Sequence, residues 1–425
     1  MYVMPKFVVH GGKPLTGTIN VCGSKNAALK ALPLALMTKE VIVIKNLPEI
    51  EDVFRAGEML RALGHSVEKR AGGAVGVKQK NSDSTTLPAE LVNKFRASIM
   101  FVGPLLATRG EARFPHPGGC VIGAGTRPID LFLGGFEKMG AVLETEDNYY
   151  RLTAKKLKGA NIFFPTITVT GTESLMMTAC LADGITILKN CAMEPEISAL
   201  ADFLNSIGAK INGAGTSTIV IRGVRKMGGG EYEIIPDRIE AGTFATMAAA
   251  SNSGSVLINN CEPAHLEALW AQFDKAGVNY KLAKNSVKIS PSKKIKACGI
   301  KTHEYPGFAT DLQSAYTVLM TQAEGSSLIH EVIYDRRLLF SDLLTQMGAN
   351  IIMADPHRVV VEGPTQLFGK KLISPDLRAG MALVIAALIA EGKTEIDNIY
   401  QIERGYEDLS GRLRQLGADV ERVDS

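Results

Sequence analysis

The densest run of reactive groups in this chain is Pro115-His116-Pro117-Gly118-Gly119-Cys120, continuing Val121-Ile122-Gly123-Ala124-Gly125-Thr126-Arg127-Pro128-Ile129-Asp130. Four glycines and three prolines in these sixteen positions exclude a helix or a regular strand. A glycine-rich loop lets backbone amides approach a ligand closely. Cys120, Arg127 and Asp130 add a thiol, a guanidinium and a carboxylate: a proton donor, an anion clamp and a hydroxyl acceptor. The plain alternative is a surface loop with an inert cysteine, since free cysteines are usually buried and unreactive. Charged residues elsewhere bear on that choice.

Several apolar segments that read as buried helices carry ionic groups at their starts. Lys25 and Asn26 open the first and Arg96 the second. Asp237, Arg238 and Glu240 precede the fourth, Asp311 opens the fifth, and Asp376 with Arg378 opens the sixth. Acids at a helix N-terminus are ordinary caps, and Asp376 is read as one. Cations there oppose the helix dipole, so Lys25, Arg96 and Arg378 suggest an anionic ligand. Turns before the amphipathic helices add Arg127, Arg336, Arg337 and Arg404. For Arg336, Arg337 and Arg404 surface charge is the ordinary expectation.

The elements that position these groups are repeated. A helix end of the form Leu-x-x-x-Gly, or close to it, closes at Gly64, Gly140, Gly208, Gly277, Gly348 and Gly417, with spacings of 76, 68, 69, 71 and 69 residues. Each glycine suits the left-handed position that ends a helix. Each unit also holds a helix apolar on nearly every face, such as Ser174–Leu181 or Gly380–Ala390, running into a strand. The pattern per unit is strand, buried helix, strand, amphipathic helix, strand, strand. Six such α/β units exceed one core, and three plus three is the natural division. Gly228-Gly229-Gly230 is the expected hinge.

With 425 residues, 46% hydrophobic and 21% charged, the composition is that of an ordinary globular protein. A net charge of +3 argues against nucleic acid as a partner. The six scattered cysteines form no CxxC pair, the N-terminus has no signal-peptide pattern, and the apolar run 379–390 is too short to span a bilayer. A reducing, cytoplasmic setting is expected, with no membrane contact. The seven histidines lack metal-site spacing. Gly392-Lys393-Thr394 follows a helix and has Ala387 where a P-loop needs glycine. Gly123-Ala124-Gly125 lacks the third glycine of a dinucleotide fingerprint, and no GxSxG elbow occurs.

Taken together, the motifs resemble the UDP-N-acetylglucosamine 1-carboxyvinyltransferase family of enolpyruvyl transferases. They are Gly23–Ala28, Arg96–Ile99, Pro117–Cys120 with Arg127–Asp130, Pro236–Glu240, Thr310–Gln313, Asp376–Ala379 and Ile402–Tyr406. The resemblance spans nearly the whole chain. It implies an α/β (α+β) enolpyruvyl-transferase fold of six βαβαββ units, three per domain, around a cleft. One domain would comprise 1–21 and 232–425, with the N-terminal strand packed into it; the other, 22–231, would carry the Cys120 loop.

The implied activity is transfer of the enolpyruvyl group of phosphoenolpyruvate to the 3′-hydroxyl of UDP-N-acetylglucosamine, the first committed step of peptidoglycan synthesis. Lys25, Asn26, Arg96, Arg127, Arg337, Arg378 and Arg404 would hold phosphoenolpyruvate, with Lys25 and Arg404 also catalytic. Asn26, Arg96, Arg127, Pro128, Ile129, Asp130, Leu131, Val169, Asp311 and Ile333 would contact the sugar nucleotide. Asp311 would be the base for the 3′-hydroxyl. Cys120 would be the acid, and the thiol that the epoxide antibiotic fosfomycin alkylates. No metal or organic cofactor is implied. The chain departs from the family at the inserted Gly125-Thr126, which lengthen the span from Cys120 to Arg127, and at Phe132, Thr166 and Thr170. A shikimate 3-phosphate enolpyruvyl transferase and a catalytically silent nucleotide-sugar-binding paralogue are the alternatives.

Overall fold

The structure, a computed structural model, describes residues 5–80, 84–115, 129–146 and 148–424. They fall into two compact units, 23–235 and 5–22 with 236–424. Each unit contains three small mixed sheets around its own apolar core.

The helix ends read from the sequence are present. Gly64, Gly140, Gly208, Gly277, Gly348 and Gly417 all have positive φ, from 75° to 111°. Only glycine occupies that region without a Cβ penalty, so each ends its amphipathic helix and turns the chain into the next strand. The inner helices start earlier than apolarity alone suggests. Val169–Ala179 leads into strand Ile185–Lys189, and Leu377–Ile389 into strand Lys393–Asp397. Polar caps set those starts. Thr168 accepts from the Gly171 amide, Asp237 from Ile239 and Glu240, and Asp376 from Arg378 and Ala379. Asp376 therefore caps its helix.

In the repeat, the strand before the inner helix pairs in parallel with the strand after it, and antiparallel strands extend the sheet. Asn161–Phe163 lies parallel to Ile185–Lys189, which pairs antiparallel with Thr218–Arg222. Strand Thr218–Arg222 alternates exposed and buried residues, as a sheet with one face on the core requires. Among the described residues, the three-stranded sheet Glu111–Pro115, Tyr149–Thr153, Val142–Glu146 has only a single parallel bridge, Thr86 to Arg113, in the position of a fourth strand.

Two repeats take their first strand from distant sequence. Gly230–Glu233 pairs in parallel with Ile42–Lys45, and Gly17–Asn20 with Val256–Asn259. Strand Lys6–His10 sits between Lys393–Asp397 and Asp419–Val423, with Val9 opposite both Thr394 and Val420. The chain thus passes between units at Cys22–Gly23 and at Ile235–Pro236. The expected boundary at 231/232 would cut strand Gly230–Glu233. Nor is Gly228-Gly229-Gly230 a free hinge: Gly228 N donates to Ile207 O (2.8 Å), Gly229 N to Glu40 Oε2 (2.9 Å) and Gly230 N to Val41 O (3.2 Å). Added side chains at Gly229 and Gly230 would meet Val41 and Ile207, so small residues serve close packing there.

Candidate active site

In the unit 5–22 with 236–424, three inner helices pack together: Arg238–Ser251, the 3₁₀ turn Thr310–Leu312 continued by Gln313–Met320, and Leu377–Ile389. Their N-terminal turns converge. Asp311 receives Arg337 Nη2 on Oδ1 (2.8 Å) and Arg378 Nη2 on Oδ2 (2.9 Å). Arg337 Nη1 donates to Thr310 Oγ1 at 2.7 Å, and its guanidinium lies 5.1 Å from the centre of the Tyr334 ring. Arg378 Nη1 donates to the Tyr406 hydroxyl (3.3 Å), which donates to Thr243 Oγ1 (3.2 Å).

Arg337 and Arg378 are buried, whereas the Asp311 side chain keeps 26% of its surface exposed. Burial works against charge on each guanidinium, but its neighbours together outweigh it, Asp311 with Glu331 and Tyr334 at Arg337 and Asp311 with Tyr406 and Asp237 at Arg378, and both are held above the usual arginine range. The result is a carboxylate fixed at both oxygens by rigid forks and still open to solvent. That is the arrangement of an oriented proton acceptor backed by permanent positive charge.

Arg404 is also buried, with Nη1 donating to Gln401 Oε1 at 3.2 Å. Next to it, Gly405 is held so close to helix Leu377–Ile389 that an added Cβ would stand 2.7 Å from Leu377 Cδ2. The surface-charge expectation therefore fails for Arg337 and Arg404. It fits Arg336, which is exposed at φ 55° and lies 3.9 Å from Asp335. Ile333 is half-buried, and its amide donates to Glu331 Oε1.

In the unit 23–235, Lys25 is the first residue of helix Lys25–Ala31, capped by Ser24. Its Nζ lies 2.8 Å from Asp52 Oδ2, with both side chains nearly buried. The cation that opposes the helix dipole thus has a carboxylate of the protein beside it. Asn26, Arg96 and Val169 are half-buried at the first turns of their helices. Ile129 is buried and Leu131 half-buried at the start of helix Asp130–Lys138. Cys120, Arg127 and Pro128 lie outside the described residues, as does the Asp130 side chain.

Sequence reasoning left several of these residues without a role: Asp52 beside Lys25 in one unit, and Thr310, Tyr406 and Glu331 around Asp311, Arg337 and Arg378 in the other. Glu331 had a readable signal. Ser327, Ile329 and Glu331 share the inward parity of strand Gly325–His330, so an acid falls where the alternation calls for a core residue.

Comparison with known proteins gives a consistent assignment. The family model described as EPSP synthase (3-phosphoshikimate 1-carboxyvinyltransferase) matches residues 9–413. A UDP-N-acetylglucosamine 1-carboxyvinyltransferase of Koribacter versatilis is 46% identical over 99% of this chain and 97% of its own length. One of Desulfatibacillum aliphaticivorans is 44% identical over 99% and 100%. The crystal structure of the enolpyruvyl transferase NikO from Streptomyces tendae superposes with a TM-score of 0.89 at 25% identity, covering 99% of both chains. An EPSP synthase structure from Acinetobacter baumannii shares the fold, with a TM-score of 0.75 at 18% identity over 99% of this chain and 100% of its own. On this full-length similarity, with the enolpyruvyl-transferase fold beneath it, the chain belongs to the UDP-N-acetylglucosamine 1-carboxyvinyltransferase family of enolpyruvyl transferases.

Proposed function

We propose that the protein transfers the enolpyruvyl group of phosphoenolpyruvate to the 3′-hydroxyl of UDP-N-acetylglucosamine, releasing inorganic phosphate, as the entry step of peptidoglycan synthesis. Asp311 takes the hydroxyl proton, and the sugar oxygen bonds to C2 of phosphoenolpyruvate as C3 gains a proton. The tetrahedral ketal then loses phosphate and a C3 proton, which restores the carbon–carbon double bond. Arg337, Arg378 and Arg404 supply fixed positive charge for the carboxylate and phosphate, a task suited to planar, bidentate donors. Lys25, Asn26 and Arg96 bind substrate from their helix starts. Cys120 serves as the acid, and Arg127–Leu131, Val169 and Ile333 contact the sugar nucleotide. The cytoplasm is the proposed compartment.

The observation that carries this reading is Asp311, partly open to solvent and gripped at both oxygens by two buried guanidiniums. The 42–46% identity to full-length relatives named for the sugar nucleotide supports it over the shikimate 3-phosphate reading. Phosphate release from phosphoenolpyruvate, measured with each acceptor, tests the assignment. Release should require UDP-N-acetylglucosamine and fall by about 10²-fold or more in Asp311→Ala, the scale of a lost general base. Release with shikimate 3-phosphate, or nucleotide binding without release, would overturn it.

A further inference from the structure

We propose that Glu331 is a positioning residue that acts on the Asp311 base through Thr310 and Arg337, an inference that rests on the role given to Asp311 above. The Glu331 side chain is fully buried. Its Oε1 accepts from Thr302 Oγ1 (3.1 Å) and from the amides of Ile333 (2.8 Å) and Tyr334 (3.1 Å). Its Oε2 accepts from Thr310 Oγ1 at 2.7 Å. Four donors converge on one carboxylate.

The chemistry follows from the single proton of a hydroxyl. Thr310 gives that proton to Glu331, so its oxygen turns only lone pairs toward Arg337 Nη1, 2.7 Å away. The same guanidinium places Nη2 on Asp311 Oδ1 at 2.8 Å. Because the fork is planar and rigid, fixing one nitrogen orients the other. Glu331 also holds the turn leading to Arg337 through the Ile333 and Tyr334 amides, and the Tyr334 ring lies beside the guanidinium. One buried carboxylate thus sets both the polarity of Thr310 and the path of the segment that carries Arg337.

A glutamine at 331 fits the volume but not the polarity. With its NH₂ toward Thr310, the hydroxyl proton must turn toward Arg337, donor against donor. With the amide reversed, the NH₂ faces the Ile333 and Tyr334 amides. Either orientation leaves one conflict, and only a carboxylate accepts from all four donors.

The test is steady-state phosphate release and thermal unfolding for Glu331→Gln, Thr310→Val, their double variant, Thr310→Ser and Asp311→Ala. Glu331→Gln should lower kcat by about 10-fold or more while KM for UDP-N-acetylglucosamine changes by less than about threefold, the signature of a loss felt in the transition state. The double variant should be no slower than the slower single variant, because residues acting in series are not additive. Thr310→Ser, which keeps the hydroxyl, should restore most of the rate lost in Thr310→Val. Wild-type kcat in Glu331→Gln, or losses that multiply in the double variant, would overturn the proposal. If Glu331→Gln does not fold, a Thr310→Val enzyme as fast as wild type overturns it instead. An Asp311→Ala enzyme with full activity would sink the base assignment itself, a separate outcome.

Discussion

Arg378 joins two inner helices through one side chain: its Nη2 holds Asp311 Oδ2 at 2.9 Å while its Nη1 holds the Tyr406 hydroxyl at 3.3 Å. A lysine keeps the charge but cannot reach both partners in fixed geometry. Arg378→Lys should therefore fold yet lose about 10-fold or more in kcat, because a misplaced base is slow even when present. Phosphate-release kinetics alongside circular dichroism measure both halves of this expectation. A lysine variant with wild-type kcat would mean that charge alone suffices at this position.

Lys25 and Asp52 form a nearly buried ion pair. Removing the acid leaves a cation with little water around it at a helix N-terminus. Asp52→Ala should lower the free energy of unfolding by about 3 kcal/mol, the scale for breaking one partner of a buried pair. In urea the midpoint should fall with an unchanged m-value. A shift under about 0.5 kcal/mol would show instead that Lys25 finds adequate solvation elsewhere.

Lys30 and Glu173 are a second buried pair, 3.1 Å apart. Burial pushes the Glu173 carboxyl up to about 7, with Lys30 only partly opposing it. Between the usual carboxylate value and about pH 7 the folded chain therefore holds a proton that the unfolded chain releases. Stability from this group is fully present at the acid end of that window and declines as pH rises through it. Measured against Glu173→Gln, whose neutral amide does not titrate, wild-type stability should fall by up to about 3 kcal/mol from pH 4.5 to 7.5. Urea midpoints at several pH values supply the comparison, and a wild type that gains stability relative to Glu173→Gln as pH rises would contradict the assigned direction.

Gly23 stands where a Cβ would run into the Asn46 carbonyl oxygen, a backbone atom with no rotamer to move. Gly23→Ala must push strand Ile42–Lys45 or the start of helix Lys25–Ala31 aside. A loss of about 2 kcal/mol or more is expected, within the range for overpacked sites. Thermal unfolding reads the cost directly, and a melting temperature equal to wild type would mean that the backbone yields freely.

Signals carried within a few residues of sequence were legible. The six helix-ending glycines are such a signal, because a left-handed residue is a local need that only glycine meets cheaply. Asp376 as a cap was equally local. What escaped was set by partners far along the chain. Gly228-Gly229-Gly230 has the composition of a linker, and its docking against Val41 and Ile207 cannot be read from composition. Arg337 has the spacing of surface charge until Asp311 and Thr310 are brought to it. Lys25 suggested an external anion because Asp52 belongs to the next helix. Register between distant strands and pairing between distant charges are tertiary properties, and local patterns underdetermine both.

The central position of strand Lys6–His10 has a consequence for the order in which the protein is made. The segment leaves the ribosome more than 380 residues ahead of both of its neighbours, Lys393–Asp397 and Asp419–Val423. At about 5–20 residues per second, it waits tens of seconds for partners while the strands and helices from Gly23 to Ile235 emerge complete. A chain that stops short of Asp419 strands its own beginning with an open sheet edge, the kind of surface that recruits other chains. Premature termination before Asp419 is thus converted into an exposed Lys6–His10 strand, and the arrival of Asp419–Val423 is the event that conceals it.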